Sequence, residues 1–139
     1  MKVYLDSSVV LRRLLRQPGA LADWGTWSEV YASILLYVEV MRVIDRLRLE
    51  GVLDDQKRAE IVRQIDKICE AIHLVQLSPL ILKRASQAFP VIVGTLDALH
   101  LATALLLQES KRLQLIFLTH DTQLGVAAQN MGFLIKGIF

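Results

Sequence analysis

A chain of 139 residues is the length of one domain with room for a substantial core. Apolar residues make up 53% of it, in short blocks that never approach the roughly 20 consecutive residues needed to cross a bilayer. The net charge is +2, the lone Cys69 excludes an internal disulfide and a thiolate metal cluster, and Asp6 interrupts the apolar start Val3-Tyr4-Leu5 too early for a signal peptide, which together imply a cytoplasmic protein with no membrane partner.

Lys2-Val3-Tyr4-Leu5 predicts a short strand, and Asp6-Ser7-Ser8 a turn whose serines cap a helix from Val9 to Arg16. Pro18-Gly19 stops that helix, and Ala20 to Trp27, which carries both tryptophans, reads as a short helix or helical turn. Tyr31-Ala32-Ser33 is a second, very short strand. From Ser33 a helical pattern runs to about Leu49, with Ile34, Val38, Met41 and Ile44 on one stripe and Val40, Val43 and Leu47 on another. Glu39, Arg42 and Arg46 lie on the polar seam between the stripes. Gly51 closes this helix, and Asp54 or Asp55 caps the next, which reaches Ala71 on a spine of Ile61, Ile65 and Ile68.

Ile72 to Leu77 alternates and is rich in β-branched residues, a third strand. Ser78-Pro79 supplies a cap and a first-turn proline for a helix to about Ala88. The helix from Thr95 to about Glu109 is apolar around most of its circumference, with Asp97 as its first charge. Leu115-Ile116-Phe117-Leu118 is a continuous apolar run of the kind buried in the middle of a parallel sheet, and it ends in Thr119-His120-Asp121. A helix from Thr122 to Asn130, a stop at Gly132 and a strand from Phe133 to Lys136 complete the pattern.

Strands alternating with helices predict an α/β fold, a parallel sheet covered on both faces, in a single domain spanning residues 1–139. Sites in such sheets lie beyond the carboxyl ends of the strands, where Asp6 and Asp121 fall and over which Glu39 can lean. Two carboxylates about 4 Å apart repel by roughly 4 kcal/mol at an effective dielectric of 20. Asp6, Glu39, Asp97 and Asp121 can therefore share a pocket only if basic side chains neutralise them or a hard divalent cation such as Mg²⁺ or Mn²⁺ holds them through oxygen. Setting their four negative charges aside leaves the rest of the chain at +6, which suits a polyanionic substrate.

Blander readings stand beside these. Asp97 can be a helix cap, and Glu39 can be one half of an ion pair with Arg42, which would hold it in place or meet phosphate. His100, one turn beyond Asp97, reads as a hydrogen-bonded structural histidine rather than a general acid, His120 should point away from the acids, and His73 is structural. Arg12, Arg13 and Arg16 form a basic cluster beside Asp6, a solvated face or a phosphate track. Trp24, Trp27 and Tyr31 read as core or as interface. No glycine-rich phosphate loop is present, so neither NAD nor ATP is expected.

Four segments, Val3-Tyr4-Leu5-Asp6-Ser7-Ser8, Ser33 to Arg42 around Glu39, Leu96-Asp97-Ala98-Leu99-His100-Leu101-Ala102-Thr103-Ala104 and Leu118-Thr119-His120-Asp121, resemble the four acidic motifs of PIN domains, most closely those of VapC-like toxins. The resemblance covers essentially the whole chain in the right order. It implies a three-layer α/β/α fold with a five-stranded parallel sheet of order 3-2-1-4-5 and metal-dependent cleavage of RNA. By motif position, Asp6, Asp97 and Asp121 would bind Mg²⁺ or Mn²⁺, Glu39 would complete the acidic ring, and Ser8 and Thr119 would orient ligands or water. Proteins of this kind form homodimers and are silenced by an antitoxin protein. The alternatives are a PIN-like module that binds RNA or a partner without cutting, and a Mg²⁺-binding receiver-like signalling domain; the lack of an adjacent pair of acids after the first strand argues against the latter.

Overall fold

Side-chain alternation along the strands sorts the core into two halves. In the computed structural model, which describes residues 1–138, five parallel strands, β1 (Lys2–Leu5), β2 (Glu29–Ser33), β3 (His73–Val75), β4 (Ile116–Leu118) and β5 (Leu134–Lys136), lie in the order β3-β2-β1-β4-β5. Val3 and Leu5 of β1, Ala32 of β2 and Leu118 of β4 face one side. There they meet α1 (Ser7–Leu14), α2 (Leu35–Leu49) and α3 (Asp55–Ala71) through Val10, Leu36, Val40, Ile44, Ile61 and Ile65. Tyr4, Tyr31 and Phe117 face the other side, against Leu101 and Leu105 of α5 (Thr95–Lys111) and Leu124 and Ala128 of α6 (Thr122–Asn130). The short α4 (Pro79–Ala85) packs on α5. The result is the three-layer α/β/α architecture and the 3-2-1-4-5 order that the resemblance implied.

This order places a crevice at one point. From β1 the chain moves outward through β2 and β3, and α4 and α5 carry it back across to β4 on the other side of β1, so the carboxyl ends of β1 and β4 form the switch point where open α/β sheets bind ligands. Register joins those ends closely: Leu5 pairs with Leu118, and the Asp6 amide donates to the Leu118 carbonyl at 3.0 Å.

Several boundaries differ from expectation for local reasons. Asp6, not the serines, caps α1: its carboxylate accepts from the Ser8 amide, so both serines sit inside the helix. Ala20 to Trp27 is a set of turns rather than a helix. There Asp23 accepts from Trp27 Nε1 at 3.2 Å and from Lys136 Nζ at 2.6 Å. Strand β2 starts two residues early, at Glu29, because Lys2 of β1 pairs with it, whereas β3 is only three residues long, pairing with Tyr31 to Ser33 at the carboxyl end of β2. Along α2 the buried residues are Leu36, Val40 and Ile44, so the core-facing stripe draws on both expected ones, while Val38 is 54% exposed. Among the described residues no helix is long and apolar enough to cross a membrane.

Candidate active site

Asp6 is the most enclosed of the acids, 4% exposed at the end of β1. Its Oδ2 accepts from the Ser8 hydroxyl at 2.6 Å, the Thr119 hydroxyl at 2.9 Å and the Ser8 amide at 3.4 Å. The two hydroxyls stand 3.3 Å apart and also tie down the loop after β4: Ser8 Oγ accepts from the His120 amide at 2.9 Å, and Thr119 Oγ1 from the Asp121 amide at 3.0 Å. Ser8 and Thr119 thereby lock the start of α1 to the start of α6, with Asp6 between them. Asp121 caps α6 by accepting from the Leu124 amide through Oδ1 at 3.2 Å.

Glu39, in the second turn of α2, reaches across to α5, where its Oε1 lies 2.6 Å from His100 Nε2. His100 is 1% exposed. Its Nδ1 is 2.8 Å from the hydroxyl of the fully buried Tyr4, and its Nε2 is 4.0 Å from Asp6 Oδ1. With Glu39 ionised, Nε2–H donates to it, and Nδ1 accepts the phenol proton in the neutral ring or donates to the phenol oxygen in the imidazolium. Burial alone pulls the imidazole pKa down, but the hydrogen bond to Glu39 and the charges of Glu39, Asp6 and Asp97 outweigh it and raise it. Burial, aided by the charges of Asp6 and Glu39, holds Tyr4 as a neutral phenol, its pKa well above the ordinary value.

Asp97 is the third residue of α5, and it is not the cap: Gly94 occupies that position without a side-chain bond. Burial, then the charges of Asp121 and Asp6 and, more weakly, Glu39, push the Asp97 carboxyl above its usual range, with His100 opposing. All four acids thus share one field. Among the described residues none of them pairs with a lysine or arginine, and His100 is the one basic side chain in contact with them.

A pattern in the oxygens follows. Asp6 Oδ2, Glu39 Oε1 and Asp121 Oδ1 are committed to protein partners, whereas Asp6 Oδ1, Glu39 Oε2, Asp121 Oδ2 and both oxygens of Asp97 receive no hydrogen bond from the described residues. An all-oxygen set with uncompensated negative charge fits a hard divalent cation in donor type and in charge. No three of these groups are already gathered closely enough to hold an ion.

The other expected residues sort clearly. Arg42 pairs with Asp45 at 3.0 Å, not with Glu39. His120 turns away from the acids, its Nδ1–H donating to the Gly137 carbonyl at 2.7 Å, and His73 stacks on Tyr31 with ring centroids 4.9 Å apart. Arg13 and Arg16 are not beside Asp6: α1 starts at the acids, and Arg13 lies about 10 Å further along its axis, at the opposite end of the helix. Tyr31 is buried in the other half of the core, whereas Trp24 and Trp27 are partly buried and pack against the α1–α3 core from its edge, leaving part of Trp24 to line a cavity. The residue that escaped the sequence reading is Tyr4. Its signal was present, since a phenol placed mid-strand in a buried sheet needs a partner for its hydroxyl.

Fold and site together define a class, a doubly wound α/β domain with an acidic pit at its switch point. The chain belongs to the PIN-domain family, whose model matches residues 3–129. It is similar to Ribonuclease VapC47 of Mycobacterium tuberculosis (strain CDC 1551 / Oshkosh), at 27% identity over 95% of this chain and 93% of that protein. Among solved structures it resembles a chain of FitAB bound to an IR36 DNA fragment, with a TM-score of 0.71 and 16% identity over 98% of this chain and 94% of that one. A toxin-antitoxin complex from Klebsiella pneumoniae contains another similar chain, with a TM-score of 0.56 and 17% identity over 87% and 88% of the two. Both structural likenesses are likenesses of fold.

Proposed function

We propose that this chain is a metal-dependent endoribonuclease, the toxin of a toxin-antitoxin pair, acting as a single domain in the cytoplasm. The observation that carries the reading is that Asp6, Glu39, Asp97 and Asp121 face one another around a single crevice, with no lysine or arginine partner among the described residues. A salt-bridge network would have supplied such partners. Membership of the PIN-domain family and the similarity to a VapC ribonuclease support the choice of RNA.

Asp6, Asp97 and Asp121 would hold Mg²⁺ or Mn²⁺ through their free oxygens once the ion draws them together, and Glu39 would complete the ring. The chemistry such an ion supplies is activation of a water and neutralisation of the charge that develops on a phosphodiester. The protein's own part is to aim the donors. Ser8 and Thr119 fix the Asp6 carboxylate so that Oδ1 faces the pit, and His100 does the same for Glu39. The upward shift of the His100 pKa favours the imidazolium, which eases the repulsion among the acids. Assembly as a homodimer and with an antitoxin belongs to the same reading, as the similarity in fold to a chain of a toxin-antitoxin complex suggests.

The test is to incubate wild-type and Asp97→Asn protein with total RNA and Mg²⁺ or Mn²⁺ and to map new 5′ ends by sequencing. Cuts that require both the metal and Asp97 are expected. Cleavage that survives Asp97→Asn or chelation would sink the reading.

A further inference from the structure

The basic residues of α1 do not serve the acidic pit directly, yet they are not simply scattered over a solvated face. Arg13 and Arg16 join Lys67 of α3 around a cavity of about 570 Å³, which Trp24, Gln17 and Gln64 help to line. No acidic side chain lines it, and none of its three cations forms an ion pair among the described residues. Asp23, next to Trp24, is engaged by Lys136. The Arg13 guanidinium stands 5.6 Å from the centroid of the Trp24 ring.

Complementing the negative end of the α1 dipole explains a basic side chain in its last turn, as Arg12 and Arg13 are. It does not explain Lys67, which belongs to another helix, or Arg16, which lies past the helix end. Arg16 has φ +52°, the left-handed conformation that glycine adopts at lower cost after a helix. The chain therefore keeps a guanidinium where a glycine would be less strained.

We propose that this cavity is a second contact site for single-stranded RNA, with backbone phosphate on Arg13, Arg16 and Lys67 and a base stacked on the Trp24–Arg13 pair. The volume falls within the range of sites that enclose small ligands, roughly 300–1,000 Å³, and so accommodates a nucleotide. Unpaired cations beside an aromatic face are the usual components of sequence-tolerant single-strand binding. An acidic protein segment would satisfy the cations but would leave the aromatic face unused. Because the cavity and the pit lie toward opposite ends of α1, a strand held at one is delivered to the other along the helix. This inference rests on the reading of RNA as substrate.

The experiment separates the two. Fluorescence anisotropy of a labelled oligoadenylate RNA is followed in EDTA, in an Asp97→Asn background that cannot cut. Against that background the triple variant Arg13→Ala/Arg16→Ala/Lys67→Ala should bind about tenfold more weakly or worse, with a plot of log affinity against log salt that is shallower by about 2. A control that removes three cations elsewhere, Lys83→Ala/Lys111→Ala/Arg112→Ala, should change neither. Trp24→Phe should abolish the quenching of tryptophan fluorescence that RNA causes in the parent. Equal affinity and slope in the triple variant and the control overturn the site while leaving RNA as the substrate. An oligoglutamate peptide that binds more tightly than RNA, and only when the three cations are present, also overturns it. If the parent protein binds no RNA at all, the nuclease reading falls and takes the site with it.

Discussion

His100 Nε2 lies 2.6 Å from Glu39 Oε1 although 61 residues separate the two, and this contact joins α5 on one face of the sheet to α2, which packs on the other. His100 is gripped from below by the Tyr4 hydroxyl at 2.8 Å, so a buried residue of β1 sets the imidazole and the imidazole sets the carboxylate. Removing His100 leaves Glu39 without its donor. We expect His100→Ala to cost about 2 kcal/mol in urea denaturation, the range for a hydrogen bond to a charged group, and Tyr4→Phe about 1 kcal/mol. His100→Gln, which can still donate to Glu39, should recover part of the loss in both stability and Mn²⁺ affinity measured by calorimetry. A Gln variant no better than Ala would mean that the ring, not the hydrogen bond, is what matters.

The same pair makes stability depend on pH. Because the fold raises the His100 pKa above its ordinary 6.5, the imidazolium's contribution is fully present below that value and is lost as pH rises through the folded pKa. The midpoint of thermal unfolding of metal-free wild type should fall between pH 6 and pH 9, and the His100→Gln midpoint should fall less. Parallel curves would show that His100 does not change charge in this window.

Asp97→Asn should stabilise the metal-free protein while abolishing cleavage. The Asp97 carboxyl is pushed above its ordinary 3.8 by burial and by its acidic neighbours, so its ionisation opposes folding: the contribution is present below 3.8 and lost as pH rises through the folded value. Asparagine removes that loss. Calorimetric melting in EDTA is expected to give a higher midpoint for the variant at pH 7 and a smaller gain near pH 4. A variant less stable than wild type at pH 7 would contradict the shared acidic field. Gain of stability with loss of activity is the pattern of residues kept for function rather than for folding.

Thr119→Val preserves shape but deletes a hydroxyl that donates to Asp6 and accepts from the Asp121 amide. Leaving those partners short of a bond should cost about 1–3 kcal/mol. Through misaimed carboxylates, kcat/KM on RNA should drop by about 10- to 100-fold, as is usual for residues that orient metal ligands. Denaturation and single-turnover cleavage measured on one preparation check both numbers, and an unchanged rate would remove Thr119 from the site.

Gly137 lies close to the Thr119 carbonyl, where an added Cβ would sit 2.3 Å from the oxygen, and its φ is +114°. Gly137→Ala must move the loop after β4 that carries Thr119 and Asp121. A destabilisation of about 1–3 kcal/mol is expected from the backbone strain, together with weaker Mn²⁺ binding. Wild-type behaviour in both measurements would show that the loop is softer than its contacts imply.

What the sequence by itself determined was local or repetitive. Alternating strands and helices, a cap at Asp54 or Asp55, the proline start at Pro79 and the four spaced acids are written in neighbouring residues, and they sufficed for a parallel α/β sheet with its acids at the carboxyl edge. Tertiary structure decided which partner each polar group takes, because those partners lie on other elements and compete at similar distances along the chain. Arg42 is as well spaced for Glu39 as for Asp45, and only the approach of α5, bringing His100 within 2.6 Å of Glu39, settles the matter. Asp6 likewise reads as the residue before a serine cap until β4 brings Thr119 to its carboxylate, 113 residues away in sequence. The arginines of α1 read as neighbours of Asp6 because sequence distance hides helix length; a helix that starts at the acids carries its last turn away from them, to the cavity it shares with α3.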